Sequence, residues 1–322
     1  MKAVVCPTTG GPEVLEVREL PTPEPGPGEV RVDVAAAGVN FIDTYFRSGT
    51  YPVELPFVVG SEGAGRVSAV GDGVDTVAVG DRVAWAMVRG AGYAEQVLVP
   101  AGQVVAVPDG VDDDLAAAVL LQGMTAHFLT RSTVTLTPGE HVLVHAAAGG
   151  VGLLLTQLAT RAGARVIAAT STPEKAELAR AAGAVEVLVG DLDVPAEVRR
   201  LTGGRGVPVV YDGVGRSTFE GSLDSLAPRG TLVLFGASSG PVPPFDPQLL
   251  NSKGSLYLTR PSLGHYLATR EELLERAGDV FSLVGDGELS VRVGGRYPLA
   301  DAARAHEDLQ GRRSTGKLLI VP

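Results

Sequence analysis

Apolar and polar positions alternate with a period of two through the first third of the chain. Lys2–Cys6 is a short apolar run. Residues 14–19 and 29–35 alternate, and 63–70, Arg82–Ala86, 93–99 and 104–107 are strand-like, set apart by glycine, proline and aspartate turns. This pattern predicts a β-rich domain of many short strands. Residues 21–28 (PTPEPGPG) predict a stiff connection, because proline fixes φ and glycine admits positive φ. The texture changes after Pro108. Residues 112–123 predict a helix that opens on Asp112, Asp113 and Asp114, where negative charge suits the helix dipole.

From Gly139 onward, strand and helix patterns alternate. The predicted elements are a strand over 141–145, a helix over 151–162, a strand over Arg165–Thr170, and a helix over 173–182 with Thr172 as its N-cap. Further strands are predicted at 185–189, 209–212 and 231–236, with helices between them. Such alternation marks a doubly wound parallel sheet. The tail predicts a helix over 269–285, a strand over 291–297, a helix over 300–310 and a closing strand Lys317–Val321, and returns to the first domain. The fold class is therefore α/β, with domains at 1–122 plus 263–322 and at 123–262.

Composition narrows the function classes. A chain of 322 residues, 45% apolar and 20% charged, is long enough for two cores. Its net charge of −10 repels phosphate backbones, so nucleic acid is not an expected partner. The one cysteine, Cys6, can form neither an internal disulfide nor a cysteine zinc site. No uninterrupted apolar stretch predicts a signal peptide or a membrane span. The expectation is a soluble cytoplasmic protein.

The sharpest motif runs from His145 to Gly152 (HAAAGGVG), after an apolar strand and at the start of a helix. Ala147, Gly149 and Gly152 hold the spacing of the G-x-G-x-x-G fingerprint. Gly149 lets a pyrophosphate approach the backbone, and Gly152 lets helix and strand pack closely. The N–H groups and dipole of the helix start attract phosphate. The next strand ends in Ala169, Thr170, Ser171 and Thr172, with Lys175 just beyond and no carboxylate to grip a ribose 2′-hydroxyl. Hydroxyls and an ammonium suit a 2′-phosphate, hence NADPH. The alternative is a helix N-cap with a solvated lysine. The five histidines show no paired spacing, so no metal site is expected, and there is no G-x-S-x-G elbow.

The chain resembles the quinone oxidoreductase, or zeta-crystallin, branch of the medium-chain dehydrogenase/reductase superfamily over essentially its whole length. The resemblance is carried by GGPEVL at 10–15, NFIDTY at 40–45 followed by RSG at 47–49 and YP at 51–52, the 145–152 turn, VYD at 210–212, KGSLY at 253–257 and TRPS at 259–262. It implies a GroES-like β-rich catalytic domain plus a Rossmann domain. Zinc alcohol dehydrogenases of the superfamily carry Gly-His-Glu where this chain has Gly60, Ser61 and Glu62, and a cysteine near the position of Asn40. The resemblance thus implies a zinc-free enzyme.

Residue by residue, the resemblance places Phe41, Ile42, Asp43, Thr44 and Tyr45 at the nicotinamide end, with Asn40 behind them. Thr125 and Phe128 fall near the cofactor's middle, Gly149, Gly150 and Val151 at the pyrophosphate, and Ser171 and Lys175 at the 2′-phosphate. Phe235, Gly236 and Ser238 flank the nicotinamide ribose beside Pro261, Ser262 and Leu263, and Arg312 reaches back from the tail. Tyr45, Tyr51 and Asn40 are the candidates to hydrogen-bond an acceptor oxygen or relay a proton; packing in a turn is the structural alternative. His145 as a strand-end cap and Trp85 as core are the readings preferred for those residues. The expected activity is NADPH-dependent reduction of a quinone or related electrophile. The alternatives are reduction of the C=C bond of an enal or enone, and a crystallin-like NADPH-binding protein with little turnover. A homodimer paired through the edge of the Rossmann sheet is implied.

Overall fold

A computed structural model describes residues 1–322, which divide into two compact units, 1–124 with 267–322 and 125–266. In chain order the first stretch holds β1 (Lys2–Cys6), β2 (Glu16–Glu19), β3 (Glu29–Val39), α1 (Phe41–Arg47), β4 (Phe57–Val58), β5 (Glu62–Val70), β6 (Arg82–Ala86), β7 (Gln96–Pro100) and β8 (Val104–Ala106). Helix α2 (Asp113–Phe128) follows. Next come β9 (His141–Val144), α3 (Gly150–Arg161), β10 (Arg165–Thr170), α4 (Pro173–Ala181), β11 (Glu186–Val189), α5 (Val194–Leu201), β12 (Val207–Asp212), α6 (Phe219–Asp224), β13 (Leu226–Leu234), α7 (Gln248–Ser252) and β14 (Tyr257–Thr259). The tail adds α8 (Arg270–Gly285), β15 (Val293–Pro298), α9 (Ala302–Gln310) and β16 (Lys317–Val321).

The first unit is built on β3. On one side β3 pairs with β5; on the other it meets β7 along its first half and β16 along residues 37–39. The resulting sheet runs β15-β16-β3-β5-β6-β8, and β2-β1-β4 form a second, smaller one. Trp85 on β6 lies fully buried in this core and donates its indole N–H to the Ala91 carbonyl at 2.6 Å. A buried indole needs such a partner, because an orphaned donor costs about 1–3 kcal/mol.

The second unit is a six-stranded parallel sheet in the order β11-β10-β9-β12-β13-β14. The chain winds outward from β9 to β11, then resumes on the other side of β9 with β12. The switch point therefore lies between the carboxyl ends of β9 and β12, where open α/β sheets bind ligands. The core strands read as near-continuous aliphatic runs because both faces are covered by helices. Leu143, Ile167, Val210 and Leu232 are fully buried.

The α/β class and its two textures hold; two elements correct the sequence reading and one was not predicted. Residues 41–47 form a helix rather than a turn. Helix α2 does not stop at Gly123. A Cβ on Gly123 would sit 2.7 Å from Val280 Cγ1, so this glycine serves the close approach of α8 instead of ending α2. The edge strand β14 lies in a stretch with too few residues to show a period. No helix is long and apolar enough to cross a membrane.

Candidate active site

In the second unit the 145–152 segment leaves β9 and turns into α3 with Gly149 as the N-cap. Gly149 donates to the Ala146 carbonyl at 2.9 Å, and Ala147 donates to the Ala169 carbonyl of β10 at 3.2 Å, which ties the turn to the neighbouring strand. A Cβ on Gly152 would lie 2.3 Å from Ala146 O and 2.8 Å from Ala147 Cα. Backbone touches backbone there, so only glycine fits. At Gly149 the nearest atom to an added Cβ is Ala146 O at 3.2 Å. Thr172 caps α4 by accepting from Lys175 N at 3.3 Å, and Lys175 Nζ donates to Ser171 Oγ at 3.3 Å. The Thr170 hydroxyl, at the carboxyl end of β10, is buried without a partner.

The switch point is held by Asp212, which is fully buried at the end of β12. Its Oδ1 accepts the Val214 and Gly215 amides at 2.7 and 3.0 Å, and its Oδ2 accepts the hydroxyls of Thr218 and Ser222, both at 2.7 Å. His145 Nε2 lies 3.1 Å from Ser222 Oγ. Because Ser222 gives its proton to Asp212, His145 must be the donor, and burial pushes its imidazole toward the neutral form. This serine, histidine and aspartate are therefore wired against a nucleophile: the serine proton points to the buried Asp212 carboxylate, and the imidazole donates to the serine oxygen instead of accepting from it. The network instead fixes the 213–215 backbone, against which Gly236 packs so closely that a Cβ there would meet Gly213 O at 2.5 Å.

Of the expected site residues, this unit gathers Gly149, Gly150 and Val151 after β9, Ser171 and Lys175 after β10, and Phe235, Gly236 and Ser238 after β13, all at carboxyl ends of one sheet. Thr125 and buried Phe128 lie on the last turn of α2, and Phe128 stacks on Tyr266 at 4.3 Å and 12°. Pro261, Ser262 and Leu263 follow β14; Pro261 and Leu263 are buried and Ser262 is exposed.

In the first unit α1 carries Phe41, Ile42, Asp43, Thr44 and Tyr45, with Asn40 as N-cap. Seven residues do not make a stable helix alone. A buried polar network supplies what is missing. Asp43 Oδ2 accepts the Asn40 amide at 3.0 Å, and Asp43 Oδ1 accepts the Ser61 hydroxyl at 2.9 Å. At the other end Arg47, almost wholly buried, donates to Gly10 O, Gln310 Oε1 and His306 Nδ1 at 3.2, 2.9 and 3.0 Å. Arginine can only donate, so His306 carries its proton on Nε2. That N–H points to Tyr93 OH at 3.1 Å, and Tyr93 in turn donates to Asp43 Oδ2 at 3.5 Å. A directed chain thus runs Arg47, His306, Tyr93, Asp43 beneath α1.

Beside it, Lys317 Nζ donates to Asn40 Oδ1 at 2.8 Å and Glu62 Oε2 at 2.5 Å. Asn40 Nδ2 donates to Glu62 at 2.8 Å and Gly38 O at 3.4 Å, and the Leu121 amide donates to Glu62 Oε1 at 2.6 Å. The Asn40 amide is thus engaged on both ends. Tyr45 and Tyr51 meet edge to face at 5.3 Å, with Phe41 6.4 Å from Tyr45 and Phe46 5.9 Å from Tyr51. Arg312 lies exposed just after α9.

Burial holds His306 down to about 3, while burial raises Asp43 to about 6 against the help of Ser61 and the Asn40 amide. Burial also lifts Tyr93 well above its usual range, so it does not titrate in acid. Between pH 6.5 and 3 the unfolded chain protonates residue 306 and the folded chain does not, so this group costs stability as pH falls. Asp43 does the opposite between about 6 and 3.8, where only the folded chain keeps the proton. His306→Gln removes the acid-sensitive group. Its stability deficit against wild type is expected to shrink by roughly 2–3 kcal/mol from pH 7 to pH 4 in urea unfolding. A deficit that does not change with pH would mean that His306 is not buried neutral.

Residues 26–109 match the alcohol dehydrogenase GroES-like domain and residues 150–277 the zinc-binding dehydrogenase domain. A quinone oxidoreductase from Pseudomonas aeruginosa is 50% identical over 315 residues, 97% of each chain. The chain belongs to the quinone oxidoreductase family. Two solved structures resemble it over the full length of both chains. One is a mycobacterial protein complexed with NADPH, at 54% identity and a TM-score of 0.97. The other is the Escherichia coli quinone oxidoreductase complexed with NADPH, at 44% identity and a TM-score of 0.98.

Near Asn40 the ammonium of Lys317 lies against Asn40 and Glu62, and the Ser61 hydroxyl turns to Asp43. No three His, Cys, Asp or Glu side chains gather as metal ligands. Sequence reasoning passed over Arg47, Tyr93, His306 and Lys317. Only one signal near α1 was available: Asn40 followed three residues later by Asp43 has the spacing of a capping box.

Proposed function

We propose that the protein is a cytoplasmic NADPH-dependent quinone reductase, with NADPH carried by the Rossmann domain (123–262) and the acceptor by the GroES-like domain (1–122 and 263–322). The observation that carries the cofactor is the carboxyl edge of the parallel sheet. There the Gly149 turn offers the start of a twelve-residue helix, and β10 ends in hydroxyls and Lys175 without a carboxylate. The orphaned Thr170 hydroxyl beside them suits a polar ligand. These residues fit a phosphorylated dinucleotide.

Bound NADPH supplies a hydride. Gly149, Gly150 and Val151 present backbone N–H groups and the helix dipole to the pyrophosphate, and Ser171 and Lys175 hold the 2′-phosphate. Thr125 and Phe128 border the cofactor's middle. Phe235, Gly236, Ser238 and the Pro261, Ser262, Leu263 loop orient the nicotinamide ribose on the backbone platform that Asp212 fixes, and Arg312 reaches back to the cofactor from the tail. Phe41, Ile42, Thr44 and Tyr45 line the nicotinamide end and exclude water. Tyr45 and Tyr51 are the groups placed to hydrogen-bond the acceptor oxygen. Asn40 and Asp43 act through α1: both side chains are engaged in holding its start, so their role is positioning. The exposed edge strand β14, with Tyr257 62% exposed, is the face on which we place a homodimer contact.

The test is NADPH and NADH oxidation with 1,4-benzoquinone, 9,10-phenanthrenequinone and an enal, for wild type and Lys175→Ala. Lys175→Ala is expected to raise the KM for NADPH roughly ten- to a hundredfold, as the loss of a hydrogen bond to a charged group does, and to leave NADH kinetics unmoved. Preference for NADH would overturn the 2′-phosphate assignment. Turnover of the enal alone would make the protein an alkene reductase. Cofactor binding without turnover of any acceptor would make it a binding protein.

A further inference from the structure

Residues 87–91, after β6, form a tightly held loop. Met87 takes a left-handed backbone conformation, φ 63°, which a non-glycine residue adopts only under constraint. The constraint is visible. Val88 N donates to Ser61 O at 3.2 Å, Gly90 N donates to Gly60 O at 3.0 Å, Ala91 accepts the Trp85 indole, and the Val88 side chain is buried. Between these anchors Arg89 is turned outward, and its guanidinium carbon stands 5.4 Å from the centre of the Phe46 ring.

Several surface arginines meet carboxylates. Arg18, Arg31, Arg82, Arg180, Arg200, Arg296 and Arg313 each have one within ion-pair distance. Arg89 has none, and it sits on an aromatic face in a chain of net charge −10. A guanidinium held over a ring by a cation–π contact is weakly hydrated and still has N–H groups to offer, so it pairs readily with a planar or tetrahedral oxyanion. Phe46 is also the end of a run of rings, in contact with Tyr51, then Tyr45, then Phe41. That run leads to the residues read above as the nicotinamide end.

We propose that Phe46, Tyr51 and Arg89 form an acceptor subsite. The rings take a planar, electron-poor acceptor, and Arg89 selects those that carry an anionic substituent, a sulfonate or a carboxylate. The proposal rests on the reading of α1 as the acceptor's side of the reaction, and it adds which acceptors are preferred and which residue prefers them.

The test compares 1,2-naphthoquinone-4-sulfonate with 1,2-naphthoquinone, which share a ring system and differ by the anion. Wild type, Arg89→Ala, Arg89→Lys and Arg89→Glu are assayed with NADPH saturating. The ratio of KM for the sulfonate to KM for the neutral quinone is expected to rise roughly three- to tenfold in Arg89→Ala, as for a solvent-exposed charge pair with a hydrogen bond. It should rise further in Arg89→Glu and be partly rescued in Arg89→Lys. Added salt should raise the ratio for wild type and not for Arg89→Ala. An unchanged ratio in Arg89→Ala overturns the subsite, as does a rise in KM for NADPH that matches the change for the sulfonate. Binding of anthraquinone-2-sulfonate by calorimetry, without NADPH, separates the two readings. If neither quinone is turned over yet the sulfonate binds wild type and not Arg89→Glu, the reductase reading fails and the subsite stands. If it binds both alike, the subsite falls.

Discussion

Lys317→Met is expected to cost the first unit about 3–5 kcal/mol, the penalty for breaking a buried ion pair by removing one partner. Lys317 and Glu62 are 1% and 0% exposed, so water cannot take the ammonium's place. The variant strands the Glu62 carboxylate in the core with only Asn40 and the Leu121 amide for company, and leaves Asn40 Oδ1 without a donor. Such a loss is a large share of the roughly 5–15 kcal/mol that holds a domain together. The reporter is built in. Trp85, the chain's one tryptophan, pairs with Gly63 next to Glu62 on the neighbouring strand. Its fluorescence in urea therefore follows this unit. Glu62→Gln alone should also destabilise, by leaving the ammonium unpaired. The double variant Lys317→Met with Glu62→Leu should recover much of the loss, because the pair's own desolvation cost goes with it. A loss under about 1 kcal/mol for Lys317→Met would show that the cluster is hydrated and that its ion pair is not a structural element.

Two glycines three positions apart are expected to fail differently. Gly152→Ala forces a Cβ to within 2.3 Å of Ala146 O and 2.8 Å of Ala147 Cα, both backbone, so the turn must open. Overpacking of this kind costs about 1–3 kcal/mol. It also moves the N–H groups that face the phosphates, so NADPH affinity should fall about a hundredfold or more, at roughly 1.5–3 kcal/mol for each hydrogen bond lost to a charged group. At Gly149 the backbone, φ −75° and ψ 171°, suits alanine, and the nearest contact is 3.2 Å. Gly149→Ala should therefore unfold within about 0.5 kcal/mol of wild type while binding NADPH more weakly, because its methyl group occupies the surface a pyrophosphate would approach. NADPH fluorescence titration and thermal melting separate the two. Wild-type NADPH affinity in Gly149→Ala would remove this turn from the cofactor site.

Reading the chain as a chain reached the class of the fold and the chemistry of its sheet edge, since both are local. Period-two runs, the switch to alternating strand and helix, and HAAAGGVG between a strand and a helix all lie within a few residues of one another. Thr172 capping α4 follows for the same reason, accepting an amide three residues on. Where a signal depended on distant partners it was silent. Gly123 reads as a helix stop, and only the approach of Val280 shows why it is not one. Helix α1 is seven residues long with five of them aromatic or β-branched, so propensity alone argues against it. It is made by Asp43, Ser61, Tyr93, His306 and Arg47, residues spread over 263 positions of chain that meet only in the folded core. The Lys317 and Glu62 pair, 255 residues apart, and the placing of Arg89 on Phe46 are of the same kind. The period-two strands, the alternating strands and helices of the second unit and the phosphate turn depend on neighbours along the chain, and so the sequence alone determined them, whereas α1 depends on distant partners. Which polar groups share a buried volume depends on tertiary packing, where leaving any one of them unpaired costs more than a whole helix turn gains.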